Sequence, residues 1–390
     1  MPQQSSSVQP VTQLPKLVFV RQKFSRFGGG ELILSRTIDA LVKRGVPVSI
    51  VAREWEPQDG LAFHRCDPAR APRSTRDSRF AKAACAIVGK LSDALVQSHE
   101  RLVCCDIYRA GDGVHAAYLA HRARGMGPLK RLLQNLSGYH RDVVRLEREL
   151  FASPRLKAVI ANSQMVAEEI AAHFSYPRER IHLIPNGIDL SKFDSKAFSA
   201  LREQSRKKLG IDPGRKILVI IGSGYERKGV AQAIEALARS KSGAMLLVIG
   251  YEKRQSRYEG LAERLGTRNN VVFLGRQENV LPFLAVADAM ILPSVYDPFP
   301  STVLEGLAAG LPVITSTNCG ARDIARELDA GLVRDANDIG GLADAISIAL
   351  RLSDQPETGQ RARAIAARFD MDRMTERMLA LYEKLGHRAA

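Results

Sequence analysis

The run Gly222-Ser223-Gly224-Tyr225-Glu226-Arg227-Lys228-Gly229 combines three kinds of group that hold phosphate: backbone N–H groups beside glycine, a hydroxyl and two adjacent cations. It follows the apolar, β-branched run Lys216 to Ile221 and opens a helical pattern. That places its cations at the carboxyl edge of a sheet, where open α/β sheets bind ligands. No Lys-Ser/Thr follows Gly229 as in a P-loop, and the cations interrupt a dinucleotide fingerprint. A pyrophosphate gripped by Arg227 and Lys228 suits the spacing; a turn with two solvated cations is the plain alternative. A second run, Asp297-Pro298-Phe299-Pro300-Ser301-Thr302-Val303-Leu304-Glu305, follows another strand end at Met290 to Leu292. It sets one carboxylate before a helix and another just over one turn inside it. The helix N-terminus at Ser301 to Val303 then becomes an anion site between two carboxylates able to bind hydroxyls. Taken alone, the two acids also suit a capping Asp and a solvated helical Glu.

Both loops need a sheet to position them. Lys216 to Ile221, Met245 to Ile249, Val271 to Leu274, Ala289 to Leu292 and Val313 to Thr315 are short apolar runs separated by helical periodicity. They predict an α/β domain over 190–370. A similar series precedes it: strand Leu17 to Val20, a glycine-rich loop Phe27-Gly28-Gly29-Gly30, an amphipathic helix Glu31 to Arg44 and a second strand Val46 to Val51. Leu102 to Cys105 and Ala158 to Ala161 are further strand candidates, so 17–185 also reads as α/β. Ile184-Pro185-Asn186-Gly187-Ile188-Asp189 carries turn signals and predicts a hinge between the two. Met371 to Leu385 is amphipathic and predicts a closing helix over 371–390 that packs back on the N-terminal domain. Residues 1–16, rich in Gln, Ser and Pro, predict a flexible tail.

Composition excludes several classes. The chain has 390 residues, 45% hydrophobic and 25% charged, as in soluble globular proteins. No apolar run reaches the ~18 residues of a membrane span, and the start lacks the apolar core of a signal peptide, so a cytoplasmic protein is expected. Five cysteines without metal-type spacing predict buried small apolar residues, neither a disulfide framework nor a structural metal site. Asp370 to Asp372, a D-x-D at the start of the closing helix, predicts capping and no metal.

Together with Ala308-Ala309-Gly310-Leu311-Pro312-Val313, the two loops resemble the retaining glycosyltransferases of family four, which have the GT-B fold. The resemblance runs from about Leu17 to Leu385 and implies two Rossmann-like doubly wound domains facing each other across a cleft. The N-terminal domain is then the acceptor-binding one and the C-terminal domain binds a nucleotide sugar. Residue by residue, the resemblance implies that Arg227 and Lys228 bind the donor diphosphate and Glu305 the ribose hydroxyls. Asp297 stands where the family's first Glu contacts the donor sugar. Gly28, Gly29 and Gly30 would offer N–H groups to the phosphates, Asp112 would sit near the transferred hexose, and Arg276 would lie by the nucleobase. Ser223, Phe299, Ser301 and Thr302 complete the donor set. Asp297 is one methylene shorter than the family's Glu, and Pro300 replaces a glycine whose N–H could have served the donor. The implied reaction needs no metal and no cofactor beyond its nucleotide-sugar substrate, because Arg227 and Lys228 supply the positive charge. Phe27-Gly28-Gly29, Tyr108-Arg109-Ala110-Gly111-Asp112 and Gly222 to Gly229 together narrow the resemblance to members that move glucose from UDP-glucose to a heptose of the lipopolysaccharide inner core. UDP-N-acetylhexosamine, UDP-galactose or GDP-mannose as donor, or nucleotide-sugar epimerisation, are the alternatives within the fold.

The remaining feature is charge. Lys and Arg number 57 against 42 Asp and Glu, a net +15, of which +11 (28 against 17) falls in residues 1–185. Arg65 to Lys82 and Ala116 to Phe151 carry much of it, the latter interleaved with Leu119, Leu129, Leu132, Leu133, Leu136 and Tyr139. Such basic amphipathic stretches suit an anionic membrane surface; the family resemblance implies peripheral association with the cytoplasmic face of the inner membrane and a phosphorylated lipopolysaccharide core acceptor. Nucleic acid is not expected as a partner, since aromatics are only 6% and no nucleic-acid motif is present.

Overall fold

A computed structural model describes residues 14–22, 29–56, 58–91 and 93–386. The predicted tail 1–16 lies mostly outside them, and so does Gly28. Two parallel sheets form. The first contains β1 (Lys16–Val20), β2 (Val48–Ala52), β3 (Leu61–Arg65), β4 (Ala94–Ser98), β5 (Ile107–Arg109), β6 (Ala158–Ala161) and β7 (Ile181–Leu183), in the order β3-β2-β1-β4-β5-β6-β7. The second contains β8 (Ile217–Ile221), β9 (Met245–Ile249), β10 (Val271–Gly275), β11 (Ala289–Leu292), β12 (Val313–Ser316) and β13 (Val333–Arg334), in the order β10-β9-β8-β11-β12-β13. Each is the doubly wound pattern, in which strand order reverses beside the first strand.

Central strands such as β8 and β11 are buried along their whole length. Helices cover both faces of a parallel sheet, so its strands are continuous apolar runs without a polar face. The helix Val230–Ser240 packs Val230, Ile234 and Leu237 into the same core as the helix Ile339–Leu352 with Leu342, Ile346 and Leu350. Residues 184–189 form no regular element beyond a single bridge from Ile188 to Asp370. Compact packing divides the chain into a first unit, Met1–Arg109, Arg145–Ile160 and Thr375–Ala390, and a second, Ala110–Val144 and Ala161–Met374.

Two expectations are corrected. Leu102 to Cys105 is a turn, closed by the Cys105 thiol donating to the Leu102 carbonyl at 3.2 Å, and the strands on either side are β4 and β5. Cys85 and Cys104 are joined by a disulfide with Cα atoms 5.6 Å apart, while Cys66, Cys105 and Cys319 are free and buried as expected. The pairing brings a helical residue to a turn, a proximity that chain spacing alone does not reveal.

The closing helix is Met371–Gly386, and the Asp370 carboxylate caps it by accepting the Asp372 N–H at 2.8 Å. From residue 375 onward it belongs to the first unit. There Tyr382 is fully buried, meets Phe19 of β1 edge-on with centroids 6.4 Å apart, and donates its hydroxyl to Gln97 Oε1 of β4 at 2.9 Å. Tyr382→Ala is predicted to cost about 3–5 kcal/mol and Tyr382→Phe about 1 kcal/mol, read by urea unfolding. Equal, small losses from both would contradict this docking.

Candidate active site

β8 and β11 are neighbours in the second sheet, on either side of the point where strand order reverses. The loops leaving their carboxyl ends are the two runs singled out by sequence. After β8, residues Tyr225–Lys228 make one helical turn between Gly224 and Gly229, both left-handed. That turn projects Arg227 and Lys228. After β11, the chain runs through Pro293 to Asp297 and enters the helix Ser301–Ala308 with Pro300 at its N-cap. The two loops are laced together by the Val295 N–H donating to the Arg227 carbonyl at 2.9 Å.

Asp297 meets both cations. Its Oδ2 accepts from Lys228 Nζ at 2.7 Å and from Arg227 Nη1 at 2.9 Å. The aspartate is 5% exposed and Lys228 7%, whereas the Arg227 side chain is 41% exposed, so the cluster has a buried inner pair and an outer arginine. Burial by itself would raise the Asp297 carboxyl; the charges and hydrogen bonds of Lys228 and Arg227 outweigh it and hold the group below its ordinary range. The Asp297 backbone is also fixed, its N–H donating to the Asn318 carbonyl at 3.1 Å and its carbonyl accepting from Gly320 at 2.8 Å. Lys228 folds back across Gly222, where a Cβ would stand 2.6 Å from the lysine Cε. Any larger residue at Gly222 forces the lysine stem to shift.

Glu305 lies inside the following helix, and burial pushes its carboxyl up to about 7, against the opposing pull of Lys192 and Lys228. Ser301 and Thr302 are partly buried at the first turn, whose leading N–H groups have no intrahelical partner. The Thr302 hydroxyl is buried without a hydrogen-bond partner. A group left this way costs about 1–3 kcal/mol, and a ligand oxygen would satisfy it. Phe299 contributes only backbone at this edge: its ring packs in the core against Phe369 at 5.7 Å, and its carbonyl accepts from Asn186 Nδ2 at 3.0 Å. Ser223 and Arg276 form a neighbouring group, each meeting Tyr251 after β9. The Ser223 hydroxyl accepts the Tyr251 N–H at 3.0 Å and the Arg276 guanidinium lies 6.0 Å over the Tyr251 ring.

Thus Arg227, Lys228 and Asp297 are in mutual contact, with Glu305, Ser301 and Thr302 on the helix that follows. Asp112 is exposed in a turn of the second unit, and its neighbours Gly113 and Val114 abut Tyr296. Gly29 and Gly30 open the helix Gly29–Lys43 of the first unit. His115 is held by its ring contact with His140 at 3.0 Å. Sequence reading missed Tyr296 and Glu169, whose hydrogen bond joins residues 127 positions apart. Within the second unit a cavity of about 900 Å³ opens beside Arg227, lined also by Tyr118, Arg122, Lys130, Arg254 and Tyr258.

Doubly wound sheets with paired cations and a spaced acid pair at the switch point define a glycosyltransferase of the GT-B type. Residues 27–192 match the family model described as Glycosyltransferase Family 4, and residues 202–367 the one described as Glycosyl transferases group 1; together they span most of the chain, which belongs to this family of transferases. It is 27% identical over 325 residues to lipopolysaccharide glucosyltransferase WaaG of Escherichia coli (strain K12), covering 81% of this chain and 84% of that protein. It is 26% identical over 325 residues to D-inositol 3-phosphate glycosyltransferase of Segniliparus rotundus, covering 74% and 69%. The crystal structure of WaaG, a glycosyltransferase involved in lipopolysaccharide biosynthesis, superposes with a TM-score of 0.81 at 25% identity over 94% of this chain and 99% of that one.

Asp297→Ala is predicted to destabilise the protein by about 3–5 kcal/mol at neutral pH, because the buried Lys228 ammonium loses its carboxylate. Since the native carboxyl titrates below its unfolded value, the deficit is present above about pH 4 and shrinks as pH falls through the native value. Urea unfolding of wild type and variant at several pH values checks this. A pH-independent difference would contradict the ion cluster.

Proposed function

We propose that this chain is a retaining, metal-independent glycosyltransferase that moves glucose from UDP-glucose to a heptose of the lipopolysaccharide inner core. The observation that carries the reading is the buried Asp297 carboxylate beneath two cations at the switch point of the second sheet. One carboxylate against two cations leaves an excess positive charge directed at the carboxyl edge, suited to a diphosphate. As the bond between the anomeric carbon and the diphosphate breaks, negative charge grows on the leaving group and Lys228 and Arg227 stabilise it. Because Lys228 and Arg227 supply that positive charge, no metal and no cofactor enters this reading.

Asp297 is committed to both cations, so its role is to place them and to face the hexose, not to attack it. The Glu305 carboxylate receives the ribose hydroxyls, and Ser301 and Thr302 offer N–H groups and the unpartnered hydroxyl to donor oxygens. The Phe299 N–H and Ser223 line the same edge, Arg276 lies toward the nucleobase, and Asp112 toward the transferred hexose. Glucose is favoured as the transferred sugar because the similarity to lipopolysaccharide glucosyltransferase WaaG extends over four fifths of both chains. In a thermal-shift panel of UDP-, GDP- and ADP-sugars, UDP-glucose at about 100 times its dissociation constant is expected to stabilise by about 2.7 kcal/mol. Lys228→Ala is expected to lose about 10²–10³ in kcat. No shift with any nucleotide sugar, or wild-type turnover in the variant, would refute the assignment.

The reading extends to a membrane partner. No helix among the described residues is long and apolar enough to cross a membrane. The helix Pro128–Leu136, however, exposes Leu129, Leu132, Leu133 and Leu136, each by more than half, next to Lys130 and Arg131. Leucines flanked by cations suit the interface of an anionic bilayer, where each cation contributes about 1 kcal/mol. This is consistent with a cytoplasmic enzyme working on a phosphorylated, membrane-held acceptor. Binding to anionic liposomes is expected to weaken with salt and with Lys130→Glu/Arg131→Glu; binding indifferent to both would contradict it.

A further inference from the structure

We propose that Tyr296 is a positioning residue for sugar transfer, its hydroxyl holding the Asp112 turn in register with the Asp297 loop. The inference rests on the transferase reading above, in which both acids face the hexose. Tyr296 immediately precedes Asp297 and is 2% exposed. Its hydroxyl donates to Glu169 Oε2 at 2.6 Å and accepts the Val114 N–H at 2.9 Å. The first bond is short and charge-assisted, the strong kind. The second reaches the backbone two residues beyond Asp112.

The fit around the hydroxyl is close. Gly113 has φ +71°, and a Cβ there would stand 2.2 Å from the tyrosine oxygen and 2.9 Å from Pro298 Cγ. Only glycine lets the Asp112 turn approach the 296–298 segment this far. The ring is clamped as well, stacked on His121 at 5.8 Å and tilted against Tyr118 at 6.1 Å. Burial pushes the His121 ring below its ordinary range, aided by Arg124. A second tether reaches the same turn, Asn162 Nδ2 donating to the Gly111 carbonyl at 3.3 Å. On its far side, Asp297 is held by its bonds to the backbone of Asn318 and Gly320. The phenol is therefore a direct tie between the segments that carry two acids 185 positions apart in sequence, alongside the Asn162 tether.

Misplacement of a reacting group by about 1 Å costs about 10²-fold in rate. The test uses UDP-glucose with heptose-terminated lipopolysaccharide as acceptor, in wild type, Tyr296→Phe, Asp112→Ala and the double variant. Tyr296→Phe is expected to lower kcat about 10- to 100-fold, with KM for UDP-glucose and the Kd of UDP within about twofold of wild type. In the Asp112→Ala background the same substitution should change kcat by less than about twofold, because the turn it positions no longer carries the acid. Glu169→Gln, which keeps an acceptor for the hydroxyl, should lose less than Glu169→Ala. A Tyr296→Phe enzyme with wild-type kcat, or one whose loss is undiminished without the Asp112 carboxylate, would overturn the inference. So would equal losses in kcat and UDP affinity, which indicate a general structural defect. Failure of the wild-type protein to bind or turn over any nucleotide sugar would instead remove the transferase reading itself.

Discussion

A carboxylate buried beneath a lysine and an arginine is the constraint on which the second unit's site depends. Asp297 is almost wholly removed from water, a condition that a charged carboxylate tolerates only when paired and hydrogen-bonded. Both partners come from one helical turn after β8, and the acid comes from the loop after β11. Satisfying the charge therefore fixes the two loops against each other at the point where strand order reverses. Removing a partner does more than delete a contact: it leaves an opposite charge stranded in the sheet's edge. Gly222 under the lysine stem and the backbone bonds of Asp297 follow from the same demand.

Much of this was legible from residue types. Continuous apolar runs such as Ile217–Ile221 and Ala289–Leu292 declare parallel strands because both faces are covered, and the loops after them carry the paired cations and spaced acids. Less regular strands were not legible. Leu61–Arg65, at the sheet's edge, is largely exposed, and Ile107–Arg109 is only three residues long, so neither leaves a periodic signature. Leu102 to Cys105 is apolar enough for a strand, yet its burial serves a turn. The Cys85–Cys104 bond and the Tyr296–Glu169 contact depend on tertiary proximity between distant segments. Asp297 and Pro300, the departures from the family pattern, are accommodated differently: the shorter acid reaches both cations, and the proline sits at an N-cap, where its missing N–H is tolerated.

The charge excess resolves into separate tasks once its partners are known. Arg202 and Arg206 are structural: they bind Asp288 and the carbonyls at Ala285, Val286 and Ala287, tying the helix Ser195–Lys208 to the second sheet. Arg101 pairs with buried Glu147, and Arg122 with Glu226. Lys130 and Arg131 remain on a helix with exposed leucines, a different chemistry from the compact grip of Arg227 and Lys228 on Asp297. Net charge alone pointed to something anionic; the geometry separates a compact, part-buried ion cluster from an amphipathic surface.

The central claim is that Arg227, Lys228 and Asp297 form the donor diphosphate site. A crystal structure of the protein with UDP tests it most directly. Diphosphate oxygens are expected within hydrogen-bonding distance, about 2.7–3.2 Å, of Lys228 Nζ and the Arg227 guanidinium, with the ribose hydroxyls on Glu305. A diphosphate bound away from both cations, with the Asp297 cluster undisturbed, would contradict it.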